Sequence, residues 1–475
     1  MNWDVVIGIE IHAQLRTGRK LFCADRAVFG DEPNVHVCPV CLGLPGALPT
    51  TDPDAVALAI RTAAALDCTI HEESVWARKN YFYPDLPKGY QITQFDRPIA
   101  TDGHLVFDGE SGEMSVRIRR IHMEEDAGKS IHDRVPGATA VDLNRAGTPL
   151  VEIVTEPDLR SPADVRSFLA ALKQVLEYAE VSDCNMEEGS LRADANVSLR
   201  RPGETELGTK TEIKNVNSFS GIERALHLEI ERQAGVLESG GTIVQQSLLW
   251  DDHRGEVRPM RSKEESHDYR YFPDPDLPPL RLSAEMISGA RAAVPELPRP
   301  RRARFEADFG LSTYDADVLT RSPALANYFE RVASGCGASK SAANWVMGPV
   351  QALLNETGTS PEAAPIAPER IAELIELVRD GVVSDSAARK ALPGLLEWEG
   401  SAHDFVEAEG LIQVRDEGQL AEWVDGVIAA NPDESDRFAQ GEDRIAGFLV
   451  GQVMRQSHGK ADPKRVRELL GERLR

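Results

Sequence analysis

Two periodicities divide the 475-residue chain. Up to about residue 293, apolar side chains recur at every second position in several short runs. Ile7, Ile9 and Ile11 alternate with Glu10 and His12, with Gln14 continuing the polar set. Leu191, Ala193, Ala195, Val197 and Leu199 alternate with Arg192, Asp194, Asn196 and Ser198. Thr209, Thr211 and Ile213 alternate with Lys210, Glu212 and Lys214. A period of two belongs to strands with one buried face. Helical spacing interrupts these runs at 53–66, 162–180 and 221–238. The second helix is announced by Ser161 as N-cap, Pro162 at the first helical position and Asp164 in the first turn. A stretch rich in proline and arginine, Val294 to Arg302, divides the chain. Beyond it nearly every segment has helical spacing, including Pro368 to Arg379 (closed by Asp380-Gly381), a helix capped by Ser384, and a last unit from about Ser401. The pattern predicts an α+β protein. A mixed or antiparallel sheet fills 1–293, an all-helical domain spans 294–400, and a small helical tail domain spans 401–475.

Composition narrows the setting. The chain has no run of about 18 apolar residues, so no membrane span is expected. Its first residues lack a basic stretch followed by an apolar one, which predicts a cytoplasmic protein. Six cysteines over this length do not make a disulfide framework. Cys68, Cys184 and Cys336 stand alone and read as small buried apolar residues, whereas Cys23, Cys38 and Cys41 cluster. The formal net charge is −24, which argues against a broad nucleic-acid surface. Charge is uneven, however. Between Arg455 and Arg475 there are seven Lys or Arg against three acids, a local balance of +4. A second basic knot gathers Arg299, Arg301, Arg302 and Arg304. Such runs are commonly solvated helix faces, and they also suit local docking of nucleic acid.

The strand pattern carries the first candidate chemistry. Glu10 and His12 share a face. His122-Met-Glu124-Glu125-Asp126 closes another strand. Glu152 lies within the apolar run Pro149 to Val154, where an unpaired carboxylate would cost several kcal/mol, by rough estimate. Asp194 and Glu212 face out of two further strands. If these strands are neighbours, carboxylates and an imidazole converge and require cations between them. Oxygen-rich sites without thiolates suit Mg²⁺ or Mn²⁺. No glycine-rich phosphate loop occurs, so any nucleotide must be held through metal and scattered basic groups.

A second segment, Arg78-Lys-Asn-Tyr-Phe-Tyr-Pro-Asp-Leu-Pro-Lys-Gly-Tyr, joins cations to aromatics between prolines. It suits stacking on an adenine or a terminal tRNA adenosine. Core packing of Tyr81, Phe82 and Tyr83 explains the same residues equally well.

The strings at 78–85, 122–129 (His-Met-Glu-Glu-Asp-Ala-Gly-Lys), 141–145 (Val-Asp-Leu-Asn-Arg), 186–192 (Met-Glu-Glu-Gly-Ser-Leu-Arg), 267–276 (His-Asp-Tyr-Arg-Tyr-Phe-Pro-Asp-Pro-Asp) and 451–454 (Gly-Gln-Val-Met) carry a resemblance. Together, in order and from end to end, they resemble the B-subunit family of tRNA-dependent aspartyl/glutamyl amidotransferases. The resemblance implies a cradle-shaped catalytic body and a tail that contacts tRNA. It implies ATP-dependent phosphorylation of the side-chain carboxylate of misacylated Glu-tRNA(Gln) or Asp-tRNA(Asn), followed by amidation with ammonia. It also implies Mg²⁺ at Glu10, His12, one or both of Glu124 and Glu125, Glu152, Asp194 and Glu212. Arg78, Lys79 and Lys88 are candidates for phosphate contacts. The sequence contains no amidase nucleophile assembly, in keeping with two partners in the same complex, a separate amidase (A) subunit and a small (C) subunit.

The chain departs from the family at the cysteines. Relatives carry Cys-x-Cys and Cys-Pro-x-Cys, a zinc-site spacing. Here the first pair reads Cys23-Ala-Asp25, leaving Cys23, Cys38 and Cys41, with Asp25 or His36 as the fourth ligand of a structural zinc. Loss of the metal is the alternative. At 458–463, His-Gly-Lys-Ala-Asp-Pro has Asp462 where Asn is common. Two rival functions fit parts of the same pattern: a non-catalytic tRNA-binding scaffold, and an ATP-dependent amide ligase for a small acid.

Overall fold

A computed structural model describes residues 3–252, 254–260, 269–414, 416–457 and 459–475, with backbone alone at 133 and 215. His267 and Asp268 of the 267–276 string, and His458 of the basic turn, lie outside the described residues. Two compact units divide at Leu297/Pro298.

The first unit is built on a nine-stranded sheet. Its order is Glu256–Pro259, Ser247–Asp251, Thr211–Val216, Leu191–Arg200, Asp4–Gln14, Pro149–Thr155, Gly112–Glu125, Ala100–Gly109 and Thr69–Ile70. Every pairing is antiparallel except that of Thr211–Val216 with Ser247–Asp251. The alternation read from the sequence sets the faces. Ile7, Ile9, Ile11, Val151, Ile153, Ala193, Ala195 and Val197 are fully buried and join one core cluster. Helices Pro53–Ala65, Pro162–Tyr178 and Phe219–Glu238 contribute to the same cluster. Burying one such aliphatic side chain stabilises by roughly 1.5–3 kcal/mol, which fixes the register and forces the alternate residues onto the opposite face.

Helix boundaries follow their caps. Ser161 Oγ accepts from the backbone N–H of Asp164, and Pro162 opens the helix. That helix ends at Tyr178, two residues short of the expected end, because Glu180 takes a left-handed backbone (φ 56°). The third helix starts at Phe219, not at residue 221, because Ser218 caps it through the N–H of Gly221. A smaller sheet joins Phe272–Pro273, Trp76–Asn80 and Tyr90–Gln94.

The second unit is helical, with Pro298 opening its first helix inside the proline-arginine stretch. Its side chains form two hydrophobic clusters, one from Phe305 to Val406 and one from Leu420 to Leu470. Helix Ala402–Ala408 packs through Ala402, Phe405 and Val406 into the first of these. The basic knot is largely consumed internally. Buried Arg301 donates to Asn327 Oδ1 at 2.6 Å and pairs with Glu330, Arg304 reaches the same carboxylate at 2.5 Å, and Arg302 faces Asp317 at 3.5 Å. Carboxylates of neighbouring helices thus engage three of its four arginines. Among the described residues no helix is long and apolar enough to cross a membrane.

Candidate functional site

The exposed face of the large sheet is organised in rows across four strands. One row runs Arg192, His12, Glu152, His122, each residue opposite the next in register. The adjacent row runs Asp194, Glu10, Val154, Arg120. Glu124 lies two residues beyond His122 on the same face. Of these residues, Glu10, His12, Arg120, His122, Glu124 and Glu152 line a cleft of about 1010 Å³.

At its centre, His12 Nε2 lies 3.3 Å from Glu152 Oε2 and 3.4 Å from Glu124 Oε1. His122 Nε2 lies 3.2 Å from Glu152 Oε2 and 3.8 Å from Glu124 Oε2. Donor atoms of His12, Glu124 and Glu152 all fall within 4.8 Å of one another. Burial opposes charge on every member, yet the pairs outweigh it. Against burial, Glu152 and Glu124 raise the pKa of His12 and push that of His122 up to about 9. Burial would likewise raise Glu124 and Glu152, but the imidazoles hold both below the usual carboxylate range, Glu152 well below. Two carboxylates and an imidazole at this separation are a fitting donor set for a hard divalent cation.

The sequence-predicted residues distribute unevenly. Glu10 and Glu212 line the same cleft, Glu10 accepting from Asn196 Nδ2 at 3.0 Å and Glu212 from Ser247 Oγ at 2.9 Å. Asp194 stands beside Glu10, but its carboxylate is engaged by Lys214 at 2.5 Å. Glu125 is not brought to the cluster. It points away from Glu124, pairs with Lys88 and accepts from the N–H of Ile92 at 2.9 Å. Asp126 is held by Arg192 at 2.9 Å and Gln14 at 3.0 Å. Of the three proposed phosphate contacts, only Lys79 lines the cleft. Arg78 is spent on Asp274 (2.7 Å) and Asp276 (2.8 Å) beneath the ring of Tyr90.

Lys79 is surrounded by aromatics, its ammonium 4.8 Å from the Tyr269 ring and 5.8 Å from that of Tyr81. Burial lowers its pKa, but Glu124, the neighbouring tyrosines and Glu152 raise it further, so the ammonium stays charged. Tyr271 stacks on Phe95 at 4.0 Å, extending the aromatic wall. Asn80 Nδ2 fastens this wall by donating to the carbonyls of Tyr269 and Arg270. Phe82 and Tyr83 do not enter the core; they are 85% and 60% exposed. His122, Asn196, Lys214 and the two tyrosines stood in the alternating runs or motif strings but were given no role from the sequence, and Arg120 stood outside them. For His122 the signal was present, since it alternates with Ile121 and Met123.

Two family descriptions match the chain, the GatB/GatE catalytic domain over residues 5–288 and the GatB domain over 327–474. Curated relatives match from end to end. A protein of Moorella thermoacetica is 48% identical over 476 residues, covering 100% of both chains. One of Myxococcus xanthus is 50% identical over 473 residues, 100% of this chain and 99% of the relative. One of Chlorobium luteolum is 49% identical over 474 residues, 100% of both. Each is named as the B subunit of an aspartyl/glutamyl-tRNA(Asn/Gln) amidotransferase.

The chain belongs to the amidotransferase B-subunit family. That places it among ligases of protein biosynthesis acting in tRNA-dependent amidation. The cleft of this B-subunit chain lies wholly within the region matched as catalytic domain.

A second cluster lies apart from the cleft. Cys23, Asp25, Cys38 and Cys41 place ligand atoms within 4.8 Å of one another. The Cys23–Cys41 and Cys38–Cys41 sulfur separations are 3.6 and 3.8 Å, and Asp25 Oδ2 is 3.1 Å from Cys41 Sγ. Thiolates on one zinc at about 2.3 Å stand about 3.8 Å apart in a tetrahedron, so the set fits that ion. His36 is turned away, bonded to Asp31 at 2.7 Å. Fully buried Lys20 donates to Cys41 Sγ at 3.4 Å. Hydrogen bonding with Cys23, aided by Lys20, brings the Cys41 thiol down to about 6.

Proposed function

We propose that the cleft activates the side-chain carboxylate of a misacylated tRNA with ATP, Glu-tRNA(Gln) or Asp-tRNA(Asn), and that ammonia from a partner amidase then gives the amide. The observation that carries this reading is the charge balance of the cleft. Its lining holds four carboxylates (Glu10, Glu124, Glu152, Glu212) and four cations (Lys79, Arg120, Lys210, Lys214). Counting His122, whose charge Glu152 and Glu124 sustain, the lining is already net positive, and one divalent ion on the His12, Glu124 and Glu152 donors would add to that, the condition for receiving a polyphosphate. His12, Glu124 and Glu152 would hold Mg²⁺, which would supply positive charge against the negative charge developing on the phosphoryl group.

The protein's own groups account for the remaining tasks. Glu152 and Glu124 hold both imidazoles in place. Glu10, fixed by Asn196, and Glu212, fixed by Ser247 and Lys214, supply further oxygen ligands at the rim. Lys79 presents a charge from the aromatic wall, where Tyr269 and Tyr271 offer ring faces to the terminal adenosine of the tRNA. Exposed Phe82 and Tyr83 extend those faces toward solvent. Proximity is what such a site contributes, since the acid and the phosphoryl donor must meet in line.

The body (1–293) carries this chemistry. The tail (401–475), which follows the helical domain (294–400), presents basic side chains to the tRNA. The amidase and a small third protein complete a cytoplasmic heterotrimer. Cys23, Asp25, Cys38 and Cys41 would hold a structural zinc. A small-acid ligase would have no use for the matched C-terminal domain, and a bare scaffold no use for a filled carboxylate set.

The test is ATP consumption by the assembled complex. Hydrolysis should rise when misacylated tRNA is added and stay low with the correctly charged tRNA. Equal hydrolysis with either would sink the activation reading.

A further inference from the structure

Strand Gly112–Glu125 changes the parity of its buried side chains part-way along. Val116 and Ile118 are buried in the core, so even-numbered residues point inward there. A few residues on, the inward set is odd-numbered, Ile121 and Met123. The switch coincides with a break in pairing to Pro149–Thr155. Ile121 faces Ile153 and Arg120 faces Val154, but Thr155 faces Ile118, leaving Arg119 as the extra residue. One extra residue on one strand is a β-bulge, a device that re-aims side chains beside functional sites. Without it Arg120 would continue the inward series of Val116 and Ile118 into the apolar core. With it Arg120 joins His122 and Glu124 in lining the cleft.

Once there, Arg120 has no hydrogen-bond or ion-pair partner among the described residues. Its Nε is buried without a hydrogen bond. The guanidinium makes no ion pair among the described residues. Other arginines with a bare buried nitrogen are anchored elsewhere on the same group: Arg192 on Asp126, Arg61 on the Ala179 carbonyl, Arg370 on the Leu395 carbonyl. The carboxylates nearest in register are engaged, Glu152 by both imidazoles and Glu10 by Asn196. Holding a half-buried guanidinium unpaired is unfavourable, and its planar fork of donors matches phosphate oxygens.

We propose that Arg120 is a phosphate-binding residue of the cleft, donating to a phosphoryl oxygen of the nucleoside triphosphate on the side of the histidine–carboxylate cluster opposite Lys214. Lys214 lies on Thr211–Val216 and Arg120 four strands away, so the two cations flank the cluster. This assignment rests on the activation reading above.

The experiment uses the assembled complex carrying Arg120→Ala, Arg120→Gln or Arg120→Lys, with KM determined separately for ATP and for misacylated tRNA. Arg120→Ala and Arg120→Gln should raise the ATP KM about tenfold or more, the size expected for a lost charged hydrogen bond. The tRNA KM should stay within about twofold, since the lost bond is to the nucleotide. Arg120→Lys should be intermediate, and millimolar guanidinium should restore part of the Arg120→Ala loss. An unchanged ATP KM overturns the assignment. So does a rise confined to the tRNA KM, or a rise in both that guanidinium leaves untouched, which would mark a structural role. If wild type shows no ATP consumption in response to misacylated tRNA, the activation reading fails first. If wild type does and Arg120→Ala matches it, only Arg120 falls.

Discussion

His12 and Glu152 stand opposite each other on neighbouring antiparallel strands, with Nε2 and Oε2 3.3 Å apart. Each is what makes the other tolerable. A carboxylate so buried needs a cation, and an imidazole so buried needs a carboxylate. Glu152→Gln keeps the shape and removes the charge. In the assembled complex it should lower amide formation by roughly a hundredfold or more, the scale of losing one electrostatic participant, while tRNA affinity changes less than about twofold. Filter binding beside single-turnover amidation separates the two. Near-normal amidation would show that the cluster is not where activation occurs.

Glu125 differs in kind from its neighbour Glu124. Its partner Lys88 is as buried as itself, with side-chain exposures of 8% and 5%. Removing one member of a buried pair strands the other charge, at a cost of about 3–5 kcal/mol. Glu125→Ala should therefore lower the urea midpoint of the metal-free chain. Glu124→Gln should lower divalent-ion affinity and move the midpoint less. Equal midpoint shifts in the two variants would contradict this division.

His122 gives the metal-free chain a pH signature. Burial works against its charge, but Glu152 and Glu124 push its pKa from 6.5 up to about 9. The folded chain then holds a proton that the unfolded chain releases above pH 6.5. The stabilisation is fully present below about pH 6.5 and is lost as pH rises through about 9, a change on the order of 3 kcal/mol. Thermal melts of the chelator-treated chain from pH 6 to 10 should fall across that window, and His122→Gln should flatten the fall. A wild-type curve with no slope there would remove the imidazole–carboxylate account.

In the cysteine cluster, Asp25 stands where a thiolate would complete a four-sulfur set. The purified chain should carry about one zinc per molecule by elemental analysis. Cys41→Ser should lose it, because Cys41 touches Cys23, Cys38 and Asp25 at once. Asp25→Cys should slow zinc transfer to a chromophoric chelator, since sulfur binds this ion more tightly than oxygen. Metal retained by Cys41→Ser would rule the cluster out.

What could be read without coordinates was set by period. The apolar set Ile7, Ile9, Ile11 determined which side of its strand faces the core, so Glu10 and His12 were correctly placed together. Register was not legible, because the pairing of His12 with Glu152 links residues 140 apart and depends on the whole sheet. The choice between Glu124 and Glu125 was open to the same period-two argument. It is obscured by the bulge near Arg119, which reverses parity within one strand. The Lys88–Glu125 pair was illegible for another reason: a basic residue in an aromatic segment looks the same whether it meets phosphate or carboxylate. Fourth-ligand identity at the cysteines was likewise a matter of loop path, which brings Asp25 in and leaves His36 with Asp31.

The basic tail divides into cations already used and cations left over. Arg465 is shared by Glu417, Glu468 and Glu472, Arg473 pairs with Asp425 and Arg475 with Asp443. Lys464 and Arg467, on the same helix Pro463–Leu474, are exposed and have no ion pair among the described residues. Cations without carboxylates are the ones able to release counterions from a phosphate backbone. Lys464→Gln with Arg467→Gln should weaken tRNA binding by the assembled complex and flatten the slope of log affinity against log salt by roughly one for each phosphate no longer neutralised. Arg473→Gln, which gives up an internal pair, should leave that slope unchanged. Activation of bound tRNA should persist at saturating tRNA, because the tail does not build the cleft. If Arg473→Gln flattens the slope as much as the double variant does, then free charge is not what the tail offers to tRNA, and another surface carries the interaction.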